Sequence, residues 1–417
     1  MKILSIQLYI LAIFISVFQS IYATIDMQFF RAQSFFTEPR LERPWLTSLA
    51  IEVTAGSTST SRAANGEKVP LFDLYGTHRA QTIGLGIPLD PNNPREKALI
   101  DLAQLPKRDN FATFSLTGRF AVTEALFSLW QNFSHGFFMH IFLPVRKLHI
   151  YTPQFNNLSP TDTLFPNNTT PEWRTFLLFF NAILRQYGIQ TTKFKKTGTG
   201  DLYGLCGFTF NYEKTEMLDF IDITFESGVV FPTASAQNVN QIFPLPFGHN
   251  HWGFPLSLTA ALGAFEWLTL GLHTQVQIFS SRLQKVRIQT DSTQHGLIKL
   301  SKQSAVVNKG TQYTAGIYAK ADHVIRGLSF ALGYNFAHEQ ATTLRGTFDT
   351  RIANSDDMRK PWTMHTIHVS AEYDFTKEYH RYGPHIGIIF NRIVSGKRIL
   401  NTPMTGGTIG LDIAWDW

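Results

Sequence analysis

The chain has 417 residues, a formal net charge of +6, 14% aromatic residues with 36 Phe, and 16% charged residues, against the ~25% usual in soluble proteins. So little charge argues against an ordinary soluble globule, and no heptad run or strand-glycine-helix alternation supports a coiled coil or a dinucleotide-binding domain. The mean hydropathy of −0.07 is what averaging an oily face with a wet one would give.

Lys2 precedes a nearly unbroken apolar run over 3–18, followed by Gln19, Ser20, Ile21, Tyr22 and Ala23, which predicts a signal peptide over 1–23 cleaved after Ala23. The run is about 16 residues, whereas a spanning helix needs ~20. No Cys lies near the cleavage point to carry a lipid anchor. Residues 24–45 are expected to form an N-terminal tail or short plug, and 46–417 a barrel.

Period-two alternation predicts strands over 46–57, 109–130, 137–150, 201–212, 220–231, 253–263, 267–280, 311–322, 327–338, 363–376, 383–394 and 405–417. In 267–280, Leu268, Leu270, Leu272, Val276 and Ile278 alternate with Thr269, Gly271, His273, Gln275 and Gln277. One face suits hydrocarbon and the other water. The connections alternate in length: 133–136, 213–219, 264–266, 323–326 and 377–382 are short; 58–108, 151–200, 232–252, 281–310, 339–362 and 395–404 are longer. A membrane barrel sorts its loops in this way and a soluble sandwich has no reason to. The segment 109–130 is long for one strand, and 79–88 could add another, so ten to sixteen strands are allowed around an expected twelve.

Thr170, Pro171 and Glu172 start a predicted amphipathic helix, Trp173, Phe176, Leu177, Phe180, Leu184 and Tyr187 recur at helical spacing, and Gly188 ends it. It is expected in the barrel mouth, on the membrane surface or over the rim. The lone Cys206 falls on an apolar face with Leu202, Gly204, Phe208 and Phe210, as a packing residue.

Trp130, Tyr212, Trp267, Tyr373, Phe375, Trp415 and Trp417 lie at one set of predicted strand ends, and Phe231, Trp252, Phe279, Phe336, Trp362 and Phe390 at the other. Two aromatic girdles are expected at the two membrane interfaces.

The last strand places Ile409, Leu411, Ile413, Trp415 and Trp417 on one face and Thr408, Gly410, Asp412, Ala414 and Asp416 on the other. A terminal strand ending on an aromatic residue resembles the assembly signal of bacterial outer-membrane β-barrels. The resemblance implies an all-β transmembrane barrel exported to the outer membrane of a Gram-negative-type envelope. Its expected partners are outer-membrane lipids and the barrel-assembly machinery, the latter through the C-terminal strand. A lumen of about twelve strands with polar inward faces predicts a channel or passive transporter for small solutes.

Parity turns Arg119, Glu226, His273, Gln275, Gln277, Lys320, Asn335, His368 and Glu372 inward as candidate lumen residues. His249 with His251, and His365 with His368, are the closest histidine pairs, but neither has an acidic or thiol partner at a recognised metal spacing, and no metal site is expected. No cofactor motif and no clustered basic motif for nucleic acid is present. His368 and Ser370, with Asn391 on the next strand, loosely resemble the catalytic set of the outer-membrane phospholipase; Ala371 and Glu372 stand where that family has Asn-Gly, and parity turns the set inward, so no enzyme is expected. Energy-coupled receptors need a larger plug than 24–45 supplies. Fatty-acid transporters remain an alternative, to be favoured by hydrophobic inward residues, as does a plugged structural or adhesive barrel. In a soluble secreted β-protein, the Asn167 to Thr170 run would be a glycosylation site.

Overall fold

Hydrocarbon offers no hydrogen bonds, so a membrane sheet satisfies its backbone only by closing on itself. The computed structural model describes residues 28–32, 45–104, 113–159, 171–213, 218–265, 267–325, 327–375 and 382–415. Its wall is built from twelve antiparallel strands: β1 (Leu46–Thr58), β2 (Phe120–Asn132), β3 (Phe137–Ile150), β4 (Leu202–Glu213), β5 (Phe220–Phe231), β6 (Gly253–Ala264), β7 (Leu268–Phe279), β8 (Gln312–Ile325), β9 (Leu328–Glu339), β10 (Trp362–Asp374), β11 (Tyr382–Lys397) and β12 (Met404–Ala414). Each pairs with its sequence neighbours, and β12 closes on β1 with Ile409 opposite Ile51. The strand Phe194–Thr199 continues the β4 edge upward along β3.

The outer surface is apolar because alternate side chains face away from the wall. Leu49, Ile51, Val53, Leu270, Leu332, Ile388 and Ile409 are all exposed there. Tyr212, Trp267, Tyr373, Phe375 and Trp415 are exposed at the end bearing the short turns, and Phe231, Trp252 and Phe390 towards the end bearing the long connections. Trp130 and Trp362 correct the girdle assignment. Both are buried and point inward, Trp130 stacked on Phe138 with its Nε1 donating to Asn132. Trp417 lies outside the described residues.

The expected strand over 109–130 is two elements. Thr113–Thr117 pairs with His78–Arg79 and Gln154–Asn157 in a small separate sheet, and only Phe120–Asn132 belongs to the wall. Gly118 marks the break, for a side chain there would reach within 2.7 Å of the Phe72 ring. Residues 79–88 add no wall strand. They hold a short helix, α1 (Ala80–Ile83).

The long connections fold over one end as an apolar cap. Leu71, Phe72, Phe114, Leu116, Phe243, Leu245, Ile298 and Leu300 pack with Phe120, Val122, Leu148, Ile150, Trp362, Met364 and Met404 of the wall in one continuous core. Helix α2 (Pro94–Gln104) lies at its edge, and helix α3 (Pro171–Gln186) buries Trp173, Phe176, Phe180, Ile183 and Leu184 in it. Gly188, at φ 70°, ends the α3 segment in a conformation that costs glycine little. Amphipathic spacing thus turns one stripe of α3 into the cap, with Phe180 edge-on to Phe114. A second three-stranded sheet, with helix α4 (Thr350–Ser355) beside it, buries Val286, Val307, Leu344 and Ala353.

Candidate channel interior

The inward face changes chemistry along the barrel axis. At the turn end it is polar and partly open: Asn211 donates to Asp222 at 2.8 Å, and Lys320 pairs with Asp322 at 2.9 Å. At mid-height it is polar and closed. Gln275 donates to Gln277, Ser257 to Glu226, and His140 lies 3.4 Å from Glu226. His368 Nδ1 and Asn391 Oδ1 meet at 2.7 Å between directly opposed residues. At the capped end it is hydrocarbon, from Phe120, Leu148, Trp362, Met364 and Ile393.

Glycines let aromatic rings lie flat on this wall. A side chain at Gly271 would come within 2.0 Å of the Tyr318 ring, and one at Gly410 within 2.1 Å of the His385 ring. In each case the ring occupies the space over its cross-strand partner or near neighbour instead of the central axis.

The described N-terminal segment enters this interior. Arg31 is 1% exposed and forms a 2.9 Å ion pair with Glu124, which also binds Arg146. Phe30 packs edge-on to Phe120, the Ala32 N–H donates to the Thr402 carbonyl, and the Leu400 N–H donates to the Phe29 carbonyl. A buried guanidinium is tolerated only when paired, so Glu124 supplies what the insertion of Arg31 requires.

Of the residues expected in the lumen, Glu226, His273, Gln275, Gln277, Asn335 and His368 are buried on the inward face, and Lys320 and Glu372 are half-buried on it. Gln277 is 0% exposed and His273 1%, so this conformation leaves no wide water column at their level. Arg119 is a correction. It precedes the first residue of β2, where odd positions face outward, and its guanidinium lies over the Tyr151 ring and donates to Ser57 on the outside. Along this stretch the apolar positions Phe120 and Val122 face the capped core instead of lipid, so the alternate polar positions, Arg119 among them, point outward. Of the assembly-face residues, Ile409, Leu411 and Trp415 are exposed and Ile413 is half-buried on the outer face. Sequence reading missed Glu124, Arg146 and Arg31. The two wall residues stand two positions from apolar inward residues, Val122 and Leu148, and only the partner from the N-terminal segment explains them.

The histidine pairs separate. His365 faces outward to Tyr334 while His368 faces inward, and His251 Nδ1 contacts the Ser280 carbonyl while His249 packs on Phe279. No group of three metal-binding side chains occurs among the described residues. Burial holds the His251 imidazole down to about 4, outweighing that carbonyl contact. Ser370 shares the inward face with His368, whose Nδ1 is engaged with Asn391.

Among described inward residues, Glu52, Glu124, Glu213, Asp222, Glu226, Asp322, Glu339, Glu372, Asp374 and Asp412 outnumber Arg31, Arg146 and Lys320. The positive net charge of the chain therefore resides elsewhere, in the loops and on the outer rim.

No family model matches the chain, and no curated protein matches it. Solved structures similar to it include an outer-membrane channel from Pseudomonas putida F1, at 13% identity and a TM-score of 0.46, covering 93% of this chain and 98% of that one. The Pseudomonas putida toluene transporter TodX has 11% identity and a TM-score of 0.31, covering 95% and 100%. The KdgM porin has 8% identity and a TM-score of 0.29, covering 73% and 96%.

Proposed function

We propose that the chain is an outer-membrane channel for small solutes, in a closed conformation, with the capped end facing outward and the short turns facing the periplasm. One observation carries the reading: an apolar exterior encloses a polar inward face that runs from the open turn end to the foot of the cap. A barrel that served only as a structural wall would gain more from an apolar filling than from buried carboxylates and amides, each costly unless paired. Passage then requires displacement of the N-terminal segment and the cap. The export signal over 1–23 and recognition of the C-terminal strand by the assembly machinery belong to the same proposal.

Single-channel recording of purified protein in a planar bilayer tests it. Brief, low-conductance openings are expected; silence across salts and voltages, with the protein verified as folded and inserted, overturns the reading. A second reading rests on the hydrocarbon lining of the capped half, which favours an apolar solute on the outer part of the route. Liposome uptake of a small aromatic compound compared with a small sugar separates the two.

A further inference from the structure

Along the outward face of β3, Phe137, Met139, Ile141, Leu143 and Val145 form an apolar run, and then the chemistry changes abruptly to Lys147, His149 and Tyr151. At ~3.3 Å per residue and a tilt near 40°, the run covers about 20 Å of height. The strand Phe194–Thr199 sets Lys195 opposite His149 and Thr197 opposite Lys147. On the other side, Ala121 lies opposite His149, and Arg119 is joined to Tyr151 by a backbone hydrogen bond of 2.9 Å. The Arg119 guanidinium sits 5.5 Å over the Tyr151 ring, which packs 3.9 Å from the His149 ring. Lys193 precedes the same strand, and it, Lys195, Lys147 and Arg119 are all exposed. None of these four makes an ion pair among the described residues, although Lys147, Lys193, Lys195 and Arg119 all converge on His149.

Like charges gathered without a counterion among the described residues raise the local potential and draw an external anion to them. Their height identifies the anion. Tyr203 pairs with Phe142 and Leu202 with Phe231, so the exposed Phe231 stands near the level of Leu143. Lys147 lies four positions further along β3, roughly 10 Å above that aromatic level, in the headgroup layer. Their side identifies it further, because they project from the wall towards lipid and away from the lumen. A free solute in the channel does not pass them.

We propose that Lys147, Lys193, Lys195 and Arg119 form a docking site, outside the barrel and above the apolar belt, for the phosphates of an outer-leaflet glycolipid of the lipid A class. Tyr151 and His149 supply an aromatic floor for its saccharide. The site rests on the orientation given under the proposed function, but not on conduction. Two anionic phosphates on a sugar headgroup match a cation cluster on adjoining strands better than the single phosphate of a phospholipid.

Native mass spectrometry of the full chain, titrated with bisphosphorylated lipid A and with the same lipid stripped of phosphate, tests the site. Retention of the bisphosphorylated lipid is expected, with binding weaker by about tenfold or more for the stripped lipid and for the triple variant Lys147→Gln, Lys193→Gln, Lys195→Gln. The Lys147→Arg variant should bind like the parent. Millimolar inorganic phosphate should not displace the lipid. Equal binding of the two lipids, equal binding by the triple variant with its heat-resistant fold intact, or displacement by inorganic phosphate overturns the proposal. The triple variant should also conduct like the parent; a silent parent that still selects the phosphorylated lipid would sink the channel reading and leave this site standing.

Discussion

Arg31 and Glu124 meet at 2.9 Å with both side chains almost wholly out of solvent, so a cation from the N-terminal segment is held against the wall by a carboxylate that also binds Arg146. Replacing Glu124 with Gln leaves two guanidiniums beside one another with no counter-charge from that position. Breaking a buried pair costs ~3 to 5 kcal/mol. The variant should melt earlier and open more often in bilayer recordings. Unchanged melting and unchanged gating would refute the latch.

Acid should loosen the cap through His78. Its ring stacks on Phe114, its Nε2 accepts the Leu297 N–H at 2.9 Å, and burial, with Lys299 nearby, holds the imidazole down to about 3 from 6.5. The unfolded chain takes up this proton first, so the contribution of His78 to stability is whole above pH 6.5 and is lost as pH falls towards 3. Asp73, raised by burial to about 7 from 3.8, slopes the other way: its contribution is whole below 3.8 and is lost as pH rises to about 7. Comparing His78→Asn with the parent isolates the acid slope, because Asp73 is common to both. Protection of the amides over 71–75 and 295–300, after correction for the intrinsic exchange rate at each pH, should fall in acid for the parent and much less for the variant; identical protection profiles would count against His78.

An interior with more carboxylates than cations should favour cations. Under a salt gradient the reversal potential is expected on the cation-selective side, and Glu226→Gln should move it towards zero without a large change in stability, because His140 and Ser257 can hydrogen-bond an amide. Anion selectivity of the parent would contradict the charge inventory.

Gly271→Leu tests the flat-ring arrangement. The new side chain would collide with the Tyr318 ring, at 2.0 Å for its Cβ alone, and overpacking of this kind costs ~1 to 3 kcal/mol. Lower melting with reduced conductance is expected, and the double variant Gly271→Leu, Tyr318→Ala should recover both. Failure of the second change to rescue the first would locate the damage elsewhere.

Trp417→Asp should block assembly if the terminal strand is the signal it resembles. Cell fractionation and heat-modifiability on gels read this out, and normal assembly of the variant would remove that proposal.

The wall was legible in the sequence because period-two alternation is a local signal that membrane solvation enforces on nearly every strand. Leu268 to Ile278 shows it, with Thr274 the one polar residue on the outer face. The helix at 171–186 was legible for the matching reason, a 3.6-residue stripe with a proline start and a glycine stop. The cap was not. Thr113–Thr117 carries strand-forming residues in register with β2, and only a distant contact, Phe72 against Gly118, shows that the chain leaves the wall between them. Trp130 and Trp362 misled for a related reason, since an aromatic at a strand end has the same local pattern whether it faces headgroups or lumen. The Arg31 latch is unreadable by periodicity, because its two partners are separated by most of a hundred residues.

The pairing of Phe29 and Ala32 with Leu400 and Thr402 joins the start of the described chain to the connection that enters the last strand. Arg31 of the same segment pairs with Glu124 on β2, so its contacts lie on both sides of the seam where β12 meets β1. The segment is therefore a staple laid across the closing seam from inside the cylinder, tying the first wall hairpin to the last one.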